Sequence, residues 1–448
     1  MAWPFPLSHG TRGWFCVASR LSETAESSSR PLSASRYILR SRLLRGVFIS
    51  LVISGIGISV TVPQITLFLV GELHLSTAQA GLYFLTNLTA PIAGYLVGSL
   101  SDRAGSRLLV FRLSAIAGFL GWVLMAVAMQ AWMPFAINML LLSTAGAGAA
   151  QLQAAVRDEL NRRPTPADNE VVAVMRMAMA FGWIVGPVIG AVLGAVIGLR
   201  PLLLVTGLCV LLSLVPLIGV KSDSAAARRA LSTPIREPGQ AVSSPTEPPV
   251  PHPRSMLPLL VFTAIYVLIM CGETVKLAYL PLYMDGELRV DAGVRGAIIG
   301  FQPLVELLLM PFAARLATRF GLARVLTAGA LMAVAAHISY AAAGQITPHI
   351  VPLIVGQVLM AGVIATFGVL GITVAQRLVP TRVGMATSVF MSSYAINAAV
   401  GGFVGSIGSL WLGLPQLFWI PAAISAVGGV ALLILNSRVP LDPPARDH

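Results

Sequence analysis

Gly98-Ser99-Leu100-Ser101-Asp102-Arg103-Ala104-Gly105-Ser106-Arg107 is a short polar loop between two long apolar runs. Ala314-Arg315-Leu316-Ala317-Thr318-Arg319-Phe320-Gly321 is a second loop of the same kind. Leu100, Arg103 and Gly105 match Leu316, Arg319 and Gly321 at a constant offset of 216 residues (316 − 100). Outward from both loops, the chain alternates between polar turns and apolar runs of about 20 residues, the length that crosses a bilayer as a helix. Twelve such runs are expected, near 46–70, 78–100, 107–129, 133–155, 170–196, 200–220, 256–283, 294–314, 322–343, 349–372, 383–408 and 412–435. Each matching loop follows the second run in a set of six, so the match reads as duplication of a six-helix unit.

Composition agrees. Of 448 residues, 56% are apolar and only 11% charged, with a mean hydropathy of +0.82. Soluble domains carry roughly 25% charged residues, so an ordinary cytosolic enzyme, a nucleic-acid reader and a secreted disulfide scaffold are excluded. The net charge of +12 lies in short loops between apolar runs, which is not a nucleic-acid footprint. Cys16, Cys209 and Cys271 are odd in number and far apart, so no redox or metal framework follows. The chain has no Walker loop for ATP, no zinc-spaced His pair and no Ser–His–Asp set; neither an enzyme nor an ATP-driven pump is expected.

Counting Lys and Arg gives an orientation. With both termini inside, 25 of the 30 fall in the tails, the linker and the inner loops; Arg200, Arg289 and Arg295 fall in outer loops, and Arg176 and Lys276 within spans. This is the positive-inside bias, so both termini are expected in the cytoplasm, in a multi-pass protein of the inner or plasma membrane. Trp132, Trp411 and Trp419 sit where headgroup anchors belong. The expected organisation is a disordered cytoplasmic tail (1–45), a six-helix bundle (46–220), a Pro/Ser-rich flexible linker (221–255), a second six-helix bundle (256–435) and a cytoplasmic tail (436–448). In the first tail the only apolar stretch, Trp14 to Ala18, is too short for a cleaved leader. The fold class is all-α: twelve transmembrane helices in two pseudo-symmetric bundles.

The Gly98–Arg107 segment resembles the loop signature of the major facilitator superfamily, glycine followed by Leu-x-Asp-Arg-x-Gly and basic residues. Ser106 departs from it, and the second copy has Thr318 where the first has Asp102. The resemblance implies two rocking halves and a cytoplasmic gate built from Gly98, Asp102, Arg103, Gly105, Arg107 and Arg319. Gly98 would permit close helix packing and the arginines would clamp the halves; the alternative is that these charges only set topology. Gly182-x-x-x-Gly186-Pro187-x-x-Gly190 resembles the superfamily's antiporter motif, and this glycine ridge lets another helix approach closely while Pro187 kinks the span.

A finer resemblance, across most of residues 46–435, is to the sugar-efflux branch of that superfamily. It rests on Gln151-Leu152-Gln153 with Arg157-Asp158-Glu159, on Glu170-Val171-Val172 through Met175-Arg176 to Trp183–Pro187, on Leu280-Pro281-Leu282-Tyr283, on Gly300–Glu306, on Arg319-Phe320-Gly321, and on Gln376–Pro380. It implies export of sugars or small glycosides driven by proton exchange.

Ionisable groups at bilayer depth are costly and face a cavity or a partner. Glu306 lies about 11 residues into the eighth run, about 16 Å deep, where an ionised carboxylate is disfavoured. That suits a proton carrier, although an interhelical hydrogen bond would explain it too. Arg176 can pair across a cavity, with Glu306 as a partner, or snorkel to the interface. Glu273 and Lys276 are three apart on the seventh run and can pair, as an outer gate or a plain ion pair. Asn87 falls within one turn of the position equivalent to Glu306 (306 − 216 = 90). Gln64, Gln302, Tyr394 and Asn397 are further candidates for sugar hydroxyls, or else interhelical glue; His337 is expected to be structural.

The expected function is proton-coupled export of a sugar or glycoside by alternating access, by a monomer in the lipid bilayer. No cofactor is expected beyond the proton gradient, and no nucleic-acid partner. A drug or amphiphile exporter of the same superfamily and a non-transporting membrane sugar sensor are the alternatives.

Overall fold

The computed structural model describes residues 34–220, 256–347 and 349–442. The expected linker, most of the first tail and the end of the last tail lie outside these. Among the described residues the secondary structure is helical, with twelve helices long and apolar enough to cross a membrane. They are Arg42–Gly71, Thr77–Ala104, Arg107–Ala126, Met133–Arg162, Asp168–Ile197, Leu199–Leu217, Leu257–Gly286, Ala292–Phe320, Leu322–Ala342, Ile350–Leu378, Pro380–Trp411 and Gln416–Arg438, numbered below as the first to twelfth spans. Several run a turn or two beyond the apolar stretch, because polar end residues outside the hydrocarbon still complete helical turns.

The tail is one place where structure departs from expectation. A short helix, Ala34–Arg40, precedes the first span, which begins at Arg42. The Ser41 hydroxyl caps it by accepting from the Leu44 amide at 3.3 Å, and Ile38, Leu43 and Leu44 are buried. This apolar face packs on the bundle, so residues 34–40 and 42–45 are helical on either side of Ser41.

The duplication is visible in the packing. Gly182, Gly186 and Gly190 of the fifth span press on Gly55, Ser59 and Val60 of the first, and the Ser59 hydroxyl donates to the Gly182 carbonyl at 2.7 Å. Gly401 and Gly405 of the eleventh span press in the same way on Cys271, Thr274 and Tyr279 of the seventh. Each fifth helix of a half also touches the second helix of the other half. Gly296 of the eighth span abuts Pro187 and Val188 of the fifth, and Gly402 of the eleventh abuts Gly81 and Phe84 of the second. Both matched loop glycines take a positive φ, 66° at Gly105 and 91° at Gly321, which a side chain would strain, although their ψ angles differ.

These contacts between halves lie toward one end of the bundle, away from the end that carries Ala34 and Asp442. There the Tyr279 hydroxyl donates to the Thr77 carbonyl at 3.1 Å. Toward the terminal end the second and eleventh spans part around a cavity. Gly402→Leu would drive a branched side chain into the Gly81 backbone and is expected to open the contact end. Spin labels at residues 73 and 412 should then move apart; unchanged distances would show that this contact does not hold the state.

Alone among the described spans, three of the first half are broken in mid-course. The first has a 3-10 turn at Val62–Gln64, the second a 3-10 segment at Tyr83–Thr89, and the fourth a π segment at Asn138–Leu142. Pro63, Pro91 and Pro134 lie in or beside them, each lacking an amide donor.

Candidate functional site

Irregular backbone at membrane depth is tolerated where it is buried in protein or lines a cavity. All three breaks meet at one. A cavity of about 230 Å³ in the first half is lined by Val62, Tyr83, Phe84, Asn87, Asn138 and Leu142, with Trp122 and Phe111 on its apolar wall. Asn87 also lines a neighbouring space of about 310 Å³ and the cavity of about 470 Å³ between the halves. In the latter it faces Ser388, Ser392 and Tyr394 of the eleventh span. Its Nδ2 donates to the Phe84 carbonyl at 3.0 Å, tying the side chain to the 3-10 segment. The Thr86 hydroxyl donates to the Tyr83 carbonyl and accepts from Asn138 Nδ2, bracing the second span on the fourth. Hydroxyls and amides around one space both donate and accept, which suits a polyhydroxylated guest.

The charged groups gather in the second half. Lys276, buried, donates to Glu273 Oε1 at 2.7 Å and also to Gln302 Oε1. Gln302 Nε2 closes the ring on Glu273 Oε1 at 3.3 Å. Glu306, one turn beyond Gln302 and at the midpoint of its helix, lies within charge–charge reach of both Glu273 and Lys276. Glu273 holds the ion pair with the ammonium, and Glu306 stands in range of that pair without a contact of its own to Lys276. Glu273 Oε2 has no protein partner. Behind this ring His337 is fully buried against the bare backbone of Gly272, and Tyr340 donates to Gln357 at 3.1 Å.

Other candidates are placed differently from expectation. The seventh span continues to Gly286, so Glu273 falls near its middle rather than in the outer third. Arg176 is exposed and forms no ion pair with Glu306. Gln64 is buried with Nε2 unpartnered, but it lines a cavity at the contact end. Tyr394 packs on Tyr266 at 5.9 Å between ring centres, and Asn397 is buried with Oδ1 unpartnered.

Arg107 pairs with Asp102 at 2.8 Å and Asp158 at 3.3 Å, so it bridges the loop to the fourth span inside the first half rather than clamping the halves. Arg103 is exposed, and Arg319 lies over Phe320 of its own helix. The space beside Gly98, expected to be closely packed, is open. Arg200 and Arg295, expected in outer loops, are helical and meet counter-ions: Arg200 pairs with Glu72 at 3.0 Å, and buried Arg295 with Asp285. Asn138, Thr86, Ser388 and Ser392 had not been singled out. Asn138 carries a readable signal, a lone amide in an apolar run, four residues after Pro134.

Twelve spans in two six-helix halves, meeting at one end and parted around a cavity at the other, define an integral membrane protein of transporter architecture. The family model described as Major Facilitator Superfamily matches residues 47–272 and 262–448, and the chain belongs to that superfamily. It is 25% identical over 397 residues to a protein of Deinococcus radiodurans named "Putative sugar efflux transporter", covering 88% of this chain and 98% of that one. It is 24% identical over 361 residues to "Sugar efflux transporter A" of Dickeya chrysanthemi, covering 80% and 87%. Its fold is similar to the crystal structure of the nucleoside transporter NupG, with a TM-score of 0.73 at 14% identity, covering 88% and 98%. These relatives are transporters by name, in keeping with a protein that is not an enzyme.

Proposed function

We propose that the protein exports sugars or small glycosides in exchange for protons by alternating access. The observation that carries the coupling is a second carboxyl, Glu306, at the midpoint of its helix and within charge–charge range of the buried Glu273–Lys276 ion pair. With both carboxyls ionised the group holds one uncompensated negative charge in the low-dielectric interior; one bound proton removes it. The substrate reading is supported by the names of the relatives and by the hydroxyl and amide lining around Asn87, Ser388, Ser392 and Tyr394.

With both termini in the cytoplasm, as the Lys/Arg bias implies, the conformation described here is open inward. Glu306 gives up its proton to the cytoplasm as sugar enters beside Asn87. The Asp102–Arg107–Asp158 network holds the loop rigid, so that it can meet the second half, with Arg103 and Arg319, when the cytoplasmic end closes.

The test is counterflow of radiolabelled lactose in proteoliposomes under an imposed pH gradient, with Glu306→Gln in parallel. Wild type is expected to move lactose against its gradient. Glu306→Gln, left with a neutral Glu273–Lys276 pair, should retain exchange and lose accumulation. The largely apolar wall of the 230 Å³ cavity favours a second reading, efflux of an amphiphile. Expulsion of a lipophilic dye with no lactose movement would decide for it.

A further inference from the structure

At the contact end, a cavity of about 520 Å³ lies between the halves, on the far side of the Tyr279–Thr77 hydrogen bond from the central cavity. Its volume falls within the range of small-molecule sites, about 300–1,000 Å³. Two residues of its wall carry buried donors that no protein acceptor meets. Gln64 is 2% exposed with Nε2 unpartnered, and Arg295 is 7% exposed with Nε unpartnered. Buried donors are rarely left unmet, so this pair marks a place for acceptor atoms.

The charges on the same wall narrow the ligand. Asp285 and Glu287 also line the cavity, and Asp285 already engages Arg295. Two carboxylates against one guanidinium oppose an anion. A guest that accepts from Gln64 and Arg295 while donating to Asp285 and Glu287 needs groups that do both, and hydroxyls do both. We propose that this vestibule is a second sugar station, on the exit side, occupied after the sugar leaves the central cavity. The inference rests on the sugar reading above, and on the orientation given there.

Ala195 lines the cavity at an exposed position, so Ala195→Cys in a chain whose native cysteines are replaced by serine reports directly on it. The measurement is the labelling rate by a membrane-impermeant maleimide in proteoliposomes, with and without lactose. At ten times its Kd, lactose should slow labelling about tenfold, because the free fraction falls as 1/(1 + [L]/Kd). Adding Gln64→Leu or the exposed-site change Glu287→Ala should weaken the protection several-fold, whereas Asn87→Ala should leave it. Unprotected labelling in a protein that still carries lactose counterflow would overturn the vestibule and leave the sugar reading standing. Absence of both protection and counterflow would remove both. Protection lost with Asn87→Ala but kept with Gln64→Leu and Glu287→Ala would place the sugar in the central cavity alone and overturn the proposal.

Discussion

Lys276→Met is expected to abolish lactose counterflow and to destabilise the protein by about 3–5 kcal/mol, the usual cost of stripping one partner from a buried ion pair. The loss has three parts. Glu273 Oε1 loses its cation, Gln302 Oε1 loses its donor, and Glu306 is left near an uncompensated carboxylate. The effect should be partly reversible by chemistry. Lys276→Met combined with Glu273→Gln removes both charges together and should recover most of the stability while leaving transport absent. Thermal unfolding in nanodiscs, alongside counterflow, separates the two readouts. A Lys276→Met protein with wild-type thermal stability would show that the ring carries no structural weight. One with wild-type accumulation would remove it from the coupling scheme.

Gly182→Leu should be comparably severe for a different reason. A side chain there would begin inside the Gly55 backbone, where no rotamer change can make room. It would also push away Ser59, whose hydroxyl donates to the Gly182 carbonyl. Overpacking costs about 1–3 kcal/mol where side chains can give; against backbone the upper end or more is expected, read as loss of folded protein on heating. Gly94→Leu is the control. Nothing lies within 4 Å of a side chain starting there, and leucine is the better helix former by somewhat under 1 kcal/mol, so it should be neutral or stabilising. Equal losses at the two positions would mean that helix propensity, not the close contact of the first and fifth spans, governs the ridge.

Much of the architecture was legible because the bilayer restricts what an apolar chain can do. Twelve runs long enough to span, the 216-residue offset and the Gly182–Gly186–Gly190 ridge all reappear as helices, as symmetric halves and as a close helix contact. The Glu273–Lys276 pair was legible too, since spacing of three sets a common face. Its closure by Gln302, 26 residues away, depends on how the seventh and eighth spans pack, and spacing holds no information on that. Gln64 illustrates the same limit: a buried amide in an apolar run announces a polar site, yet which of two cavities it serves depends on the shape of the bundle. Arg107 illustrates another. The residues of a polar loop do not say whether an arginine turns toward its own half or toward the other, and here its partners lie within its own half.

The mid-span breaks of the first, second and fourth helices have no counterpart among the described spans of the second half. The two halves therefore share an outline but differ in the regularity of their helices. In the first the regular α-helical ladder is interrupted around its cavity; in the second the α-helices run continuously past their charged ring. Amide hydrogen exchange should divide along the same line, with fast-opening sites at residues 62–64, 83–89 and 138–142 and slow ones through the middle of the seventh and tenth spans.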